Sequence, residues 1–262
     1  AEVVSKSLEL EEKNRDTTAS IRYAERIQAA MLPPENFFND TFVLFMPKDI
    51  VSGDFYWMHD SGFKQYIAAV DCTGHGVPGA FMSIIGHNSL NKIVRESGIT
   101  RPSEILDHLN IEVVHALLQR SEKAVRDGMD ISLISYDILE HTVEYAGAYQ
   151  PLYHVRDGKV TIYRADRFPI GMIDGQARKS FTNNKVDVRS GDMLYIFTDG
   201  FADQFGGEHE KKFKTINIRS LLKEIHLLPV EEQKRRLDNA IRNWMRDLAQ
   251  VDDILFIGTR VP

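Results

Sequence analysis

The chain has 262 residues, 32 Lys+Arg against 38 Asp+Glu for a formal net charge of -6, 43% hydrophobic residues and a single cysteine, Cys72. That length supports a core without metal or disulfide help, and one thiol excludes both an intrachain disulfide and a cysteine-based zinc site. The acidic balance argues against a nucleic-acid partner, and no stretch approaches the roughly 20 apolar residues of a membrane span.

Residues 1–32 carry neither Gly nor Pro, and Ile21, Ala24, Gln28 and Met31 recur at helical spacing. One amphipathic helix is expected, stopped by Pro33-Pro34. Asp16-Thr17 could cap a restart, leaving the preceding residues loosely attached. Two roles stay open for this helix: lying on its own domain, or pairing with a second copy and entering from an upstream module. The start at Ala1 without Met, in a charged helical stretch, is expected of a piece cut from a longer chain.

Beyond the prolines, strands are expected at 41–45, 55–59 and 65–70, the last two joined by an Asp60-Ser61-Gly62 turn. Helical spacing follows over 79–97, ending at Gly98, and again after a Ser103 cap with Ile105, Leu106, Leu109 and Val113. Strands resume at 131–136, 142–146, 152–155, 159–163 and 193–198, with turn signals at 137–141 and 156–158. Residues 216–248 read as one or two helices broken near Pro229, and 254–260 as a closing strand. Tight turns between neighbouring strands mean antiparallel pairing, and segregated strand runs and helix pairs predict an α+β class. The expected organisation is an N-terminal linker or dimerisation helix, 1–32, and one domain, 33–262.

Four acidic positions recur beside apolar strands: Asp54, Asp71, Asp199 and the pair Asp252-Asp253. A carboxylate pressed against a hydrophobic strand is costly unless compensated, and hard divalent cations compensate it through carboxylate oxygens and retained waters. Any one of them could equally be a turn residue or cap; the recurrence is what points to a metal. Gly74, Gly76 and Gly79 match G-x-G-x-x-G between a strand and a helix, yet Asp71 would repel a pyrophosphate there and the chain lacks βαβ alternation. The alternative is a tight bend that turns Asp71 and the Cys72 carbonyl toward a metal. His75 stands as a general-acid candidate against a loop-packing role, Lys48 as a phosphate contact against an exposed lysine, and Cys72 as a reactive thiol against an inert one. His59 and His87 read as structural, and 201–215 as a substrate-contacting or plain surface loop.

Ile27-Gln28 with Leu32-Pro33, Ser52-Gly53-Asp54-Phe55-Tyr56, the run from Asp71-Cys72-Thr73-Gly74-His75-Gly76 through Val77-Pro78-Gly79-Ala80, Gly191-Asp192 with Phe197-Thr198-Asp199-Gly200, and Asp252-Asp253 form an ordered set. In order and spacing it resembles the SpoIIE-type metal-dependent serine/threonine phosphatases, bacterial relatives of protein phosphatase 2C. The resemblance implies an αββα four-layer sandwich of two antiparallel sheets flanked by helices, with two Mn²⁺ or Mg²⁺ ions at one sheet edge. Carried over by motif, Asp71 and the Cys72 backbone carbonyl bind metal, Asp54 bridges or holds an ion through water, and Asp199 and Asp252 complete the first ion's shell. Asp253 is then a supporting or capping residue, and Gly200 is constrained beside Asp199. Two departures stand out: Ser52 replaces a more usual Gly, and Cys72 sits where only its carbonyl acts.

The resemblance further implies hydrolysis of phosphoserine or phosphothreonine on a small regulatory phosphoprotein of the anti-sigma-factor-antagonist type. It also implies a cytoplasmic domain downstream of a membrane-anchored sensor. Two alternatives remain: a pseudophosphatase that binds a partner without metal, and a two-metal nucleotidyl cyclase, for which no triphosphate-reading motif is present.

Overall fold

In the computed structural model, residues 2–118, 127–171 and 179–262 are described. The N-terminal half holds α1 (Glu2–Met31), β1 (Thr41–Met46), β2 (Phe55–Asp60), β3 (Lys64–Cys72), α2 (Gly76–Asn91) and α3 (Pro102–Leu118). It continues through β4 (Met129–Asp137), β5 (Thr142–Ala148), β6 (Leu152–Arg156), β7 (Lys159–Tyr163), β8 (Asn184–Val186) and β9 (Met193–Phe197). The C-terminal part holds α4 (Gly200–Asp203), a short β10 (Phe205–Gly206) and β11 (Lys211–Lys212), α5 (Thr215–Ile225), α6 (Val230–Met245) and β12 (Ile254–Arg260). Among the described residues, no helix is long and apolar enough to cross a membrane.

Two five-stranded sheets form, in the orders β1-β12-β9-β6-β7 and β2-β3-β4-β5-β8, and every pairing within them is antiparallel. Their strands are apolar on both faces because both faces are covered. On β2, Phe55 and Trp57 pack with Leu90 of α2 and Leu106 of α3, while Tyr56 and Met58 face the other sheet. On β12, Ile254 and Phe256 pack with Leu222 of α5 and Leu237 of α6, while Leu255 and Ile257 face inward. Period-two alternation thus builds three stacked cores: helix on sheet, sheet on sheet, sheet on helix. That is the expected α+β, four-layer αββα sandwich.

Most elements lie where the sequence expects them, including the break between α5 and α6 at Pro229, whose ring cannot continue a helix. Three differ. The helix α1 runs unbroken through Asp16-Thr17, with no restart, and its residues 3–17 are exposed. A π-helical turn, Lys92–Glu96, closes the second helical stretch. The loop expected at 201–215 instead contains α4 and the β10–β11 hairpin. Strands this short carry too few residues for an alternation pattern.

Candidate metal centre

Antiparallel pairing brings the acidic positions together. The start of β2 lies beside the end of β3 (Phe55 opposite Val70), and the start of β12 beside the end of β9 (Phe256 opposite Phe197). Asp54, Asp71, Asp199, Asp252 and Asp253 therefore collect at one end of the sandwich, where the two sheets meet. The register adds Asp130, which sits opposite Asp71 on β4.

Glycines let the loops at this end close on one another. A Cβ on Gly53 would lie 2.4 Å from the Gly74 carbonyl oxygen and 3.2 Å from that of Cys72. One on Gly79 would lie 2.2 Å from the same Gly74 oxygen. Gly74, at φ +88, adopts a conformation that L side chains rarely enter, so the tight bend after Asp71 requires glycine. Backbone carbonyls of the 72–74 turn thus crowd against the Ser52-Gly53-Asp54 loop.

Asp253 is a backbone clamp. Only 2% exposed, its Oδ1 accepts from the Lys48 N–H (2.7 Å) and its Oδ2 from the Gly53 N–H (2.8 Å). Both carboxylate oxygens are thereby engaged in holding the loop that carries Asp54. On the other side of that loop, Gln28 of α1 donates from Nε2 to the Ser52 carbonyl (2.6 Å) and to Ser83 Oγ (2.9 Å), and its Oε1 accepts from the Ser52 N–H (3.0 Å). One buried side chain therefore ties α1, the Asp54 loop and α2 together.

The electrostatics are those of like charges held close. Asp54 is 3% exposed, and burial, then Asp71, Asp253 and Asp252, push its carboxyl well above the usual range, against a hydrogen bond from Thr198. Asp71 is pushed up to about 8 by burial and by Asp199, Asp130, Asp252 and Asp253. Asp130 rises to about 6 through burial and Asp199, and Asp199 rises through desolvation, Asp252 and Asp203, with Lys212 opposing. A fold that gathers carboxylates this way must protonate them or neutralise them with a cation.

The residues fit a divalent cation. Asp54 Oδ2 is buried and has no hydrogen-bond partner, a cost that a cation or a water on a cation removes. The available donors are carboxylate and backbone oxygens, the set preferred by Mg²⁺ and Mn²⁺. Among the described residues, no three acidic, His or Cys side chains already converge to ligand geometry.

The other sequence candidates are placed as follows. The Cys72 thiol packs into the core beneath β3, and burial pushes it up, so a reactive thiolate is not available there. His75 Nδ1 lies 2.7 Å from Asp49 Oδ2, with both side chains about half exposed. Lys48 reaches the centre through its backbone N–H. His59 stacks on Tyr66 and His87 meets the edge of Phe55, both against the core. Sequence reasoning missed Asp130, although it borders the expected strand 131–136 just as the other acids border theirs.

Comparison with known proteins agrees with this geometry. The family model for stage II sporulation protein E (SpoIIE) matches residues 61–262. The SiaA PP2C domain of Pseudomonas aeruginosa is similar over 95% of this chain and 99% of that chain, at 29% identity and TM-score 0.86. The PP2C phosphatase domain of SpoIIE from Bacillus subtilis, solved with a fragment of its regulatory domain, matches 85% of this chain and 63% of that chain, at 22% identity and TM-score 0.68. RsbX, solved in complex with magnesium, matches over 87% and 98% at 16% identity and TM-score 0.60. No curated protein sequence matches the chain. With a two-sheet phosphatase sandwich, carboxylates gathered at one end of it and a family model spanning most of its length, the chain belongs to the SpoIIE family of PP2C-type phosphatase domains.

Proposed function

We propose that this chain is a divalent-metal-dependent phosphoprotein phosphatase acting on phosphoserine or phosphothreonine. The observation that carries the reading is the gathering of Asp54, Asp71, Asp199 and Asp252 at one end of the sandwich, near enough to raise one another's carboxyls, with Asp54 Oδ2 left unpartnered. Asp71, Asp199, Asp252 and the Cys72 carbonyl are the proposed ligands of two Mn²⁺ or Mg²⁺ ions, with Asp54 bridging or holding a coordinated water. Asp130 extends the same acidic rim. Such ions polarise a water for in-line attack and neutralise charge on the phosphoryl oxygens. Asp253 keeps the Asp54 loop in register through the Lys48 and Gly53 N–H groups, and Asp54 would help to hold that water. Filled carboxylate positions argue against a metal-free pseudophosphatase, and the four-layer sandwich leaves the nucleotidyl cyclase alternative without support.

By family resemblance the substrate is a small phosphorylated regulator of the anti-sigma-factor-antagonist type, and the chain works on the cytoplasmic side of a membrane-anchored sensor. The division into a helix, 1–32, and a domain, 33–262, is part of this reading. Val3, Val4, Leu8 and Leu10 are all more than half exposed on α1, which supports pairing of that helix with a second copy. The test is hydrolysis of an aryl phosphate with Mn²⁺, with Mg²⁺ and with chelator. Turnover only with a divalent cation is expected; turnover that survives chelation overturns the reading.

A further inference from the structure

A groove of about 420 Å³ runs from Asp71, Asp130 and Asp199 to Tyr149, Gln150 and Thr215. On its wall, Gln150 is 6% exposed, and neither Nε2 nor Oε1 of its carboxamide has a hydrogen-bond partner. Buried amides are rarely left so, and a group of this kind beside a reaction centre marks a place where something else binds. The backbone around it is fixed rather than loose. The Gln150 carbonyl accepts from Ser132 Oγ on β4 and from the Tyr145 hydroxyl on β5, each at 2.6 Å. The Gln150 N–H donates to the Ala148 carbonyl (2.6 Å) across a three-residue turn, and the Tyr149 N–H donates to the Asp166 carbonyl (2.8 Å).

Tyr149, at the centre of that turn, has φ 56, a conformation costly for a bulky side chain, and the residue is 51% exposed at the groove. The fold thus holds a strained turn in place, with Tyr149 at the groove beside the carboxylates and an unpaired carboxamide enclosed next to it. A carboxamide offers one donor face and one acceptor face, which together complement a peptide group.

We infer that the Tyr149-Gln150 turn binds the substrate's polypeptide next to its phosphorylated residue, the Tyr149 ring covering a flanking side chain and the Gln150 carboxamide turning out of its enclosed, unpaired place to bond a backbone peptide group. The inference rests on the phosphatase reading and makes Gln150 a specificity-determining residue for it. Backbone pairing tolerates any sequence, so the mode suits an extended segment of a phosphoprotein rather than a free small phosphate.

The test compares Gln150→Leu, Tyr149→Asn and the native chain on two probes with Mn²⁺: an aryl phosphate, which has no peptide group, and a phosphoserine heptapeptide mixture with randomised flanks. The ratio of kcat/KM on the peptides to that on the aryl phosphate should fall about tenfold in Gln150→Leu, the weight of one buried hydrogen bond, and several-fold in Tyr149→Asn, since Asn tolerates the left-handed backbone. The thermal midpoint of Gln150→Leu should hold or rise, because an unpaired amide is replaced by an apolar group of similar shape. An unchanged ratio overturns the inference, as does a midpoint lowered by several degrees with equal losses on both probes, which would make the amide a structural group. If the native chain hydrolyses neither probe with any cation, the phosphatase reading fails, and fluorescence anisotropy of the labelled peptide mixture then decides the groove. Binding weakened by Gln150→Leu supports it, and equal or absent binding overturns it.

Discussion

Asp192, just before β9, and Asp54, just before β2, are both at least nine-tenths buried, at 5% and 3% exposure. Around Asp192 the fold supplies donors: Arg156 Nη2 at 2.7 Å and Nε at 3.0 Å, His154 Nε2 at 2.8 Å and the Arg189 N–H at 2.8 Å. Burial pushes that carboxyl up, but the bonds from Arg156, Arg189 and His154 outweigh it and hold it below the usual range. Around Asp54 the fold supplies more carboxylates, and one oxygen is left bare. The first arrangement is complete within the chain and serves stability. The second is left incomplete by the chain and fits a cation, so the fold tolerates a destabilised end of the kind found where chemistry is done.

The largest break in that comparison should come from Asp199→Asn. Activity is expected to fall at least about a hundredfold, while the melting midpoint in chelator holds or rises because a like charge is gone. A variant that melts earlier and keeps its turnover would place Asp199 with the structural carboxylates instead. Next in size, Asp192→Ala should destabilise the fold by about 3 kcal/mol by stranding His154 and leaving Arg156 with Asp187 alone, with activity per folded molecule unchanged. Urea unfolding measures the first, and a loss below about 1 kcal/mol would mean that water replaces the carboxylate at little cost.

A third test works on pH. With carboxyls near 8 and 6, Asp71 and Asp130 keep protons in the folded chain that the unfolded chain gives up above about 4. A raised folded value means stability that is full below the unfolded value and lost as pH rises through the folded one, so the cation-free chain should weaken from about pH 4 to about pH 8. Asp192 runs the other way, contributing above the ordinary carboxylate range and losing that contribution as pH falls through its lowered value. Calorimetry in chelator should therefore give a lower midpoint at pH 8 than at pH 5.5, and Mn²⁺ or Mg²⁺ should narrow the gap. Equal midpoints would show that the two carboxylate groups do not differ as described.

The smallest expected effect on stability, about 2 kcal/mol, belongs to Gln28→Ala, which leaves the Ser52 N–H and carbonyl unpaired. Its sharper readout is activity. With the Asp54 loop released from α1, turnover is expected to drop about tenfold, and Gln28→Glu, which keeps the acceptor for the Ser52 N–H, should recover part of it. Unchanged turnover in Gln28→Ala would show that the Asp253 clamp alone positions the loop.

Much of the fold was legible because it is written in short-range periodicity. The apolar runs at 55–59 and 254–260, the turn at Asp60-Ser61-Gly62 and the break at Pro229 all express local stereochemistry. The Asp71 turn was legible for the same reason, since Gly74 at positive φ admits no ordinary side chain. Asp130 was not, because its place beside Asp71 comes from the β3–β4 register, across more than fifty intervening residues. Gln150 was invisible for a related reason: an amide's lack of a partner is a property of everything packed around it.

The sequence by itself determined the apolar strand runs, the helix stops, the tight glycine turns and an ordered set of acids beside those runs, because each follows from neighbours within a few residues. Tertiary structure decided which acids became a centre and which became supports. Asp252 and Asp253 are adjacent in the chain, yet Asp253 spends both oxygens on the Lys48 and Gly53 N–H groups while Asp252 stays open to solvent. Charge, burial and hydrogen-bond satisfaction are set by groups brought from distant parts of the chain, and only the packed fold fixes those distances.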